Sequence, residues 1–319
     1  MSGAETMPAA APGPHVAILM AVRDGARFLP AQLDSIAAQR GVGWSILAGD
    51  DGSSDGSRAI LDAFGAAHPG RVTVVDGPRA GNAAANFLTL LASDSWSRGA
   101  YVTFCDQDDV WMPDRLPRAL SHLAAAADHA LYASRTMYAD ADARPRRPSA
   151  RLARPPDFAN ALVQNALPGH TLLAAPALAD AWRGAAPSAL AAGVENHDWW
   201  AYALSTGIGA RIAFDDAPSV LYRQHGRNAM GVSHDPRRAL GRLRALTDGT
   251  LARWLDQNVA ALRAERARLT PGAAELLNLF ADWRAAPSRA RPALRRLGLR
   301  RQGRGGQALL ELAARLGAI

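Results

Sequence analysis

An α/β fold on a mostly parallel sheet is predicted by three features of the 319-residue sequence. Short β-branched apolar runs alternate with segments of helical periodicity as far as about residue 130. Acidic clusters close the second and the fourth of those runs, and 49% apolar content is enough to cover a sheet on both faces. In order, residues 16–22 read as a strand and residues 31–39 as a helix with Leu33, Ile36 and Ala37 at helical spacing. Residues 44–48 read as the second strand, ending in Gly49-Asp50-Asp51-Gly52-Ser53-Ser54-Asp55, and residues 57–64 as the second helix. A third strand over 71–75, a helix over 81–91 and a fourth strand over 100–105 follow. Ligands of such sheets sit beyond the carboxyl ends of the strands, where both acidic clusters lie.

The fourth strand meets Asp106, Asp108 and Asp109, three carboxylates within four positions. Crowded carboxylates repel one another unless solvent or a cation compensates, and a hard divalent ion, Mg²⁺ or Mn²⁺, is the natural partner. Alternate residues of an extended chain share a side, so Asp106 and Asp108 can converge on one ion. The plainer reading is a solvated turn, with Asp109 as the N-cap of the next helix. The Asp50–Asp55 turn likewise has two readings. Asp, Gly and Ser make tight turns and caps, and a carboxylate there can accept the imide N–H of a pyrimidine base. Two acid-bearing strand ends in one sheet would hold the two ends of one nucleotide-sugar.

Composition narrows the class. The single cysteine, Cys105, excludes an internal disulfide framework. No apolar run approaches the roughly 18 to 20 residues that span a bilayer. Residues 1–14 are small and Pro-rich, without a basic n-region or an apolar h-region, and read as a disordered leader rather than a signal peptide. A cytoplasmic protein is expected, with a catalytic domain over 15–235 and a basic, mainly helical region over 236–319. That last region holds 17 arginines against 6 acidic residues, whereas the whole chain carries +7. Its leucines, Leu240, Leu243 and Leu251 near Trp254, then Leu294, Leu297, Leu299 and Leu309, alternate with arginines. Such a tail packs on the catalytic domain or a second subunit, or lies peripherally on an anionic membrane face. Nothing in it has the form of a base-reading module, so nucleic acid is not an expected partner.

Several ordered motifs carry a family resemblance. They are Met20-Ala-Val-Arg-Asp-Gly25, Gln32-Leu-Asp-Ser35, Asp50-Asp-Gly-Ser-Ser-Asp55, Gly81 with Asn86-Phe87, and Phe104-Cys-Asp-Gln-Asp-Asp-Val-Trp111. Gly169-His-Thr171, His197-Asp-Trp-Trp200 and Tyr222-Arg-Gln-His225 with Asn228 follow. In order and spacing the chain resembles the family 2 inverting glycosyltransferases, most nearly the bacterial rhamnosyltransferase-like members. The resemblance implies the GT-A nucleotide-diphospho-sugar transferase fold and a metal-dependent single displacement with inversion. It implies nucleotide contacts at Val22, Asp24, Asp50, Asp51 and Asp106, and a cation held by Asp106, Asp108 and His225. Gly169, His170 and Thr171 correspond to a donor or acceptor pocket.

Inverting transfer needs a base for the acceptor hydroxyl. Asp198 is the candidate, beside Trp199 and Trp200 as a sugar-stacking wall; the alternative buries both rings in the core and leaves Asp198 as a cap. The donor implied is dTDP-rhamnose and the acceptor a cell-surface polysaccharide or lipid-linked glycan. A UDP-sugar-dependent hexosyl or galactofuranosyl transferase and a catalytically silent subunit of a polysaccharide-assembly complex are the other readings. Two departures bear on the donor. Val22-Arg23-Asp24-Gly25 stands where relatives commonly have Thr-Tyr-Asn-Gly, and Ala133-Ser134-Arg135 lacks the acid of a common Ser-Asp pair.

Overall fold

The structure, a computed structural model, describes residues 13–124, 129–225, 248–287 and 292–319. The leader expected at residues 1–14 therefore falls almost wholly outside the described residues, as do Asn228, Leu240 and Leu243. Strands β1 (His15–Val22), β2 (Gly43–Asp50), β3 (Val72–Asp76) and β4 (Tyr101–Asp106) alternate with helices α1 (Leu29–Ala37), α2 (Ser57–Ala67) and α3 (Ala83–Ala92). Each boundary lies within three residues of the expected one, the largest difference being the end of α2. After β5 (Val110–Trp111) and α4 (Arg115–Ala124) come β6 (Ala130–Ala139), β7 (Pro145–Pro148), α5 (Phe158–Ala161) and a 3₁₀ turn at Gly169–Thr171. Then follow β8 (Leu173–Ala174), α6 (Pro176–Ala191), α7 (His197–Gly207) and β9 (Arg211–Arg223).

One nine-stranded sheet runs β3-β2-β1-β4-β8-β6-β9-β5, with β7 added to β6. The ladders β2–β3, β1–β2 and β1–β4 are parallel, as is the long β6–β9 pair. Short antiparallel pairs join the rest: β4–β8, β6–β8, β5–β9 and β6–β7. The expected parallel sheet is thus the amino-terminal half. The other half is mixed and follows from local apolar pairs too short to announce themselves in sequence.

Burial on both faces explains the continuous apolar runs. Along β1, Ala17, Leu19 and Ala21 enter one core while Val16, Ile18, Met20 and Val22 enter the other. The larger core lies under α3, α6 and α7, where the Phe104 and Trp182 rings stack at 5.5 Å. The smaller lies under α1 and α4, around Leu33, Ile36, Leu116 and Leu120. The Gln32–Ser35 motif braces the sheet: Trp111 N–H donates to Ser35 Oγ at 3.0 Å, and Gln39 binds Met112 O and Leu116 N–H.

The basic region is helical, as expected, in α8 (Thr250–Ala264), α9 (Pro271–Ala285) and α10 (Arg304–Arg315), with 3₁₀ turns between. Its apolar faces join the larger core through Leu255, Leu262, Leu277, Phe280 and Leu310, so these helices pack on the sheet-bearing body. Polar clamps reinforce that contact. Asn160 Nδ2 donates to Arg300 O at 2.9 Å, Gln302 Nε2 donates to Arg154 O at 3.1 Å, and Arg300 pairs with Asp157. Among the described residues no helix is long and apolar enough to cross a membrane.

Glu195, three residues before Asp198, is gripped by α8. Arg253 donates at 2.9 and 3.2 Å, Trp254 Nε1 at 2.8 Å and Gln257 Nε2 at 3.0 Å. The hydrogen bonds from Arg253 pull the Glu195 carboxyl down to about 2, aided by Trp254 and Gln257 and opposed by desolvation. A depressed carboxyl stabilises the fold fully above its unfolded value, near 4.5, and that contribution is lost as pH falls toward about 2. Thermal denaturation between pH 5 and pH 2.5 is expected to show Glu195→Gln losing less stability than wild type over that window; parallel curves would refute the clamp.

Candidate active site

Four loops meet at the carboxyl ends of β1, β2 and β4. The loop after β1 is laced to the loop after β2: Asp24 N–H donates to Ser53 Oγ at 3.0 Å, Gly25 N–H to Ser57 Oγ at 2.8 Å and Ala26 N–H to Asp55 Oδ2 at 3.0 Å. Asp24 itself accepts from Ser54 N–H and Oγ at 2.7 and 3.1 Å, with its backbone at φ +46°. Asp24 is therefore a brace of the loop rather than an open ligand. Val22 is 1% exposed and its carbonyl accepts from Asp51 N–H at 2.8 Å. Its expected nucleotide contact gives way to core packing and a loop hydrogen bond, because the sheet extends through this position.

Asp50 and Asp51 divide the work of the second acidic turn. Asp50 Oδ1 accepts from Ser53 N–H at 2.9 Å and closes the turn. Asp51 Oδ1 accepts from Arg79 N–H at 2.6 Å, and its Oδ2 faces the Arg23 guanidinium at 3.6 Å. The loop after β3 can lie this close only because residue 77 is glycine: a Cβ there would come within 2.9 Å of Asp51 Cα. Asp51 is thus aimed into the crevice between β1 and β2, and Arg23, noted as a departure, stands across from it.

At the end of β4, Asp106 opens 37% of its side chain into the cleft. Burial against the sheet end, then the charges of Asp108 and Asp198, push its carboxyl up to about 7. Asp108 Oδ2 lies 2.7 Å from His225 Nε2, whose ring stacks on Phe28 at 4.5 Å. Asp106 has different close companions. One donor atom from each of Asp106, Asp109 and His170 lies within 4.8 Å of the other two. Sequence reasoning drew Asp106, Asp108 and His225 together; the structure joins His225 to Asp108 and sets Asp106 between that pair and His170.

Asp109 corrects an expectation. It starts no helix: β5 follows it and α4 begins only at Arg115. It is wholly buried, with Oδ1 accepting from Arg223 N–H at 3.2 Å and Oδ2 without a hydrogen-bond partner among the described residues. Burial, then Asp106 and Asp108, raise its carboxyl well above the usual range. Arg115, 1% exposed, is the buried cation on this side. It lies over the Trp111 ring at 3.8 Å and donates to His170 O at 2.7 Å and Thr103 Oγ1 at 3.0 Å. Desolvation lowers even this guanidinium to about 10. Asp109 and Arg115 both lie buried beneath the cleft, and spacing in the sequence gives no sign of it.

The Gly169–Thr171 turn joins the cluster. His170 Nδ1 is 3.9 Å from Asp106 Oδ2, and Nε2 is 2.8 Å from Thr136 Oγ1. Burial pulls this imidazole down to about 4, so it is neutral at pH 7 and able to serve as a ligand. Thr171 is fully buried and its hydroxyl closes the turn onto Pro168 O at 2.8 Å, so its expected pocket role is not met. Gly169 N–H donates to Asp198 Oδ2 at 3.0 Å, and a Cβ on Gly169 would sit 3.0 Å from Asp198 Cβ. Asp198, in the first turn of α7, also accepts from Trp199 N–H at 2.8 Å. Both of its oxygens are therefore oriented by backbone donors.

Trp199 and Trp200 do not form a sugar wall. They are 5% and 0% exposed, and Trp199 Nε1 donates to Ala161 O at 2.6 Å. On a helix, residues 199 and 200 point inward once Asp198 faces the cleft, and the core takes both rings. The residue pattern missed Gln107, which bridges Arg23 N–H and Arg23 O at 2.8 and 2.9 Å, and Phe28 beneath His225. Arg23, Asp24, Arg27, Phe28, Gln107, Asp108 and His225 line a cavity of about 880 Å³. The hard oxygen and imidazole donors fit a divalent cation, and the uncompensated carboxylates call for one.

Comparison with known proteins agrees with this geometry. Residues 17–178 match the family model described as glycosyl transferase family 2. The chain is 26% identical over 217 residues to the dTDP-rhamnosyl transferase RfbG of Shigella flexneri, covering 67% of this chain and 74% of that one. It is 28% identical over 111 residues to the putative glycosyltransferase EpsE of Bacillus subtilis, covering 35% of this chain and 39% of that one. In fold it is similar to residues 1–349 of S. aureus TarS in complex with UDP, with a TM-score of 0.53 at 14% identity over 95% of this chain and 90% of that one. The complex of the same protein with UDP-GlcNAc gives a TM-score of 0.52 at the same identity and coverage.

Asp106→Asn removes a desolvated, repelled charge. In chelator, the variant is expected to melt on the order of 2–4 °C above wild type while losing the further rise that Mn²⁺ gives wild type. Differential scanning fluorimetry with and without Mn²⁺ checks both parts, and a variant that melts lower and still responds to the ion contradicts the assignment.

Proposed function

The chain belongs to glycosyl transferase family 2, and from that premise we propose that it moves L-rhamnose from dTDP-rhamnose, with inversion, to a cell-surface polysaccharide or lipid-linked glycan. The observation that carries the reading is the acidic cluster at the carboxyl end of β4, where Asp106 feels the charges of Asp108 and Asp198, with Asp51 facing Arg23 of the cavity that Asp108 and His225 also line. Asp51, held by Arg79 N–H, would accept the imide N–H of the base, with Arg23 beside it for the ribose or phosphate. Asp106, Asp108 and His225 would hold the cation, Mg²⁺ or Mn²⁺, with His170 at the flank of Asp106. When bound, that ion supplies charge neutralisation for the departing diphosphate.

The chain's own residues do the rest. Asp198 takes the proton from the acceptor hydroxyl as that oxygen attacks the sugar carbon. Gly169 N–H and Trp199 N–H aim its oxygens and spare a search through rotamers. The His197 ring, stacked on Phe87 at 4.1 Å and edge-on to Phe104 at 4.7 Å, closes the wall behind it and excludes water. Burial lowers this imidazole to about 4, so it adds no positive charge near the base at pH 7. The rhamnosyl donor is supported by the relationship to RfbG of Shigella flexneri, which is named a dTDP-rhamnosyl transferase.

A thermal-shift series with dTDP-rhamnose, UDP-glucose and UDP-galactofuranose, each with and without Mn²⁺, tests donor and ion together. Stabilisation by dTDP-rhamnose only in the presence of metal is expected. A larger response to a UDP-sugar would replace the donor, and no response to any would overturn the reading. Asp198→Asn is expected to lower turnover by about 10² to 10⁴ while keeping the donor-induced shift, because a base is lost and the donor site is untouched. Donor consumption at saturating acceptor measures it, and retention of wild-type turnover would remove Asp198 from the mechanism.

A further inference from the structure

A row of side chains crosses three strands beside the carboxylate cluster. Tyr138 of β6 is paired directly with Arg147 of β7 on one side and with Tyr222 of β9 on the other. Directly paired residues share a face of the sheet, so the three stand side by side. The Arg147 guanidinium lies 5.1 Å over the Tyr138 ring, and the Tyr138 and Tyr222 rings meet edge-on at 6.3 Å. Tyr222 in turn stacks on His170 at 4.8 Å, and His170 Nδ1 is 3.9 Å from Asp106. The row therefore runs from the reaction centre to an exposed edge strand without a break.

Its composition is that of a binding surface. Both tyrosines are partly exposed and all of β7 is exposed. The Tyr138 hydroxyl has no hydrogen-bond partner among the described residues, so a half-buried ring presents an unused polar tip, an amphipathic form suited to the face and hydroxyls of a sugar. The charges differ along the hairpin. Arg146 is paired with Asp140 at 2.7 Å and Arg144 with Asp142 at 3.8 Å, whereas Arg147 has no carboxylate partner among the described residues. The hairpin is also held in shape: Asp140 Oδ1 accepts from Asp142 N–H at 3.1 Å and from Arg144 N–H at 2.9 Å. A surface held in place before its ligand arrives loses less entropy on binding.

Strand order decides which substrate this surface faces. In the sheet order, Asp51 after β2 and Asp106 at the end of β4 mark the donor flank, and β6 and β7 lie on the opposite side of β4, with β9 carrying Tyr222 beside them before it leads to His225. We propose that Tyr138, Tyr222 and Arg147 form the acceptor subsite, taking a glycan that carries an anionic group, a phosphate or a uronate, near the hydroxyl to be glycosylated. This rests on the transferase reading above. The tyrosines take the sugar face and Arg147 takes the anion; Trp199 and Trp200, being in the core, leave that stacking role to them.

The test uses full-length protein with dTDP and Mn²⁺ on a printed array of neutral, uronate-bearing and phosphate-bearing oligosaccharides. Wild type is expected to be retained on anionic glycans in preference to neutral ones, the uronate and phosphate arms identifying the source of the charge. Tyr138→Ala is expected to weaken retention about tenfold, Tyr138→Phe to keep most of it, and Arg147→Gln to erase the preference for anionic glycans. Both Ala and Gln variants should keep the wild-type melting temperature and its shift with dTDP-rhamnose, which separates loss of the subsite from loss of the fold. Retention by the variants equal to wild type, or absence of wild-type binding to every glycan, would overturn the subsite. A wild-type protein that shows no nucleotide-sugar shift would instead strike the transferase reading.

Discussion

Repulsion among carboxylates at one edge of the sheet is the constraint on which the rest of this protein depends. Asp106, Asp108, Asp109 and Asp198 come from the end of β4, the turn after it and the first turn of α7, and they share a space too small to hydrate each of them fully. Burial first, and the neighbouring charges of Asp108 and Asp198 second, raise the carboxyl of Asp106 to about 7. The fold tolerates it because neighbouring elements commit cations and N–H donors to its rim. Arg223 N–H meets Asp109 Oδ1, and two backbone N–H groups hold Asp198. What is left uncompensated is Asp106, partly open to the cleft, and the buried Oδ2 of Asp109, a donor set that a divalent ion fits.

That arrangement explains the loops as much as the ligands. A carboxylate cluster is useful only if its geometry is held against its own repulsion, and the loop lacing from Asp24, Ser53, Ser57 and Asp55 supplies the stiffness on the nucleotide side. On the far side the 3₁₀ turn at Gly169–Thr171 does the same, with its carbonyl held by Arg115 and its first N–H on Asp198. One buried arginine therefore ties β4, through Thr103, to the turn that holds Asp198. The clamp of α8 on Glu195 extends this outward, fixing the segment that leads into α7. The basic tail, whose leucines belong to the larger core, is part of the scaffold of the site as well as a charged surface.

The two halves of the sheet differ in what they carry. The parallel half, β1 to β4, leads into Asp51, Asp106 and Asp108 at its carboxyl edge, while His170 and His225 reach the same cluster from the mixed half. The mixed half carries rings and arginines in a cross-strand row, a pattern that only pairing between β6, β7 and β9 creates.

Much of this was legible in the residues alone. Continuous apolar runs set out β1 to β4 and period-3.6 patterns set out α1 to α3, because each of those segments is long enough to be buried along its length. The acidic ends of β2 and β4 stand out in the sequence because carboxylates directly after an apolar run are rare without a task. Other assignments waited for the tertiary structure. Whether Trp199 and Trp200 face the cleft depends on how α7 is turned about its axis, which Asp198 and the core decide together. Asp109 looks like a helix cap in sequence and is a buried acceptor in space, since a two-residue strand, β5, intervenes. Tyr138 and Arg147 are nine positions apart and become neighbours only through a hairpin register. The sequence by itself determined the sheet's parallel half, the chemistry at its edge and the helical tail, all governed by local periodicity. Ligand grouping, the burial of Asp109 and the row across β7, β6 and β9 were decided by packing, because charge compensation and ring stacking act between residues that the chain brings together only when folded.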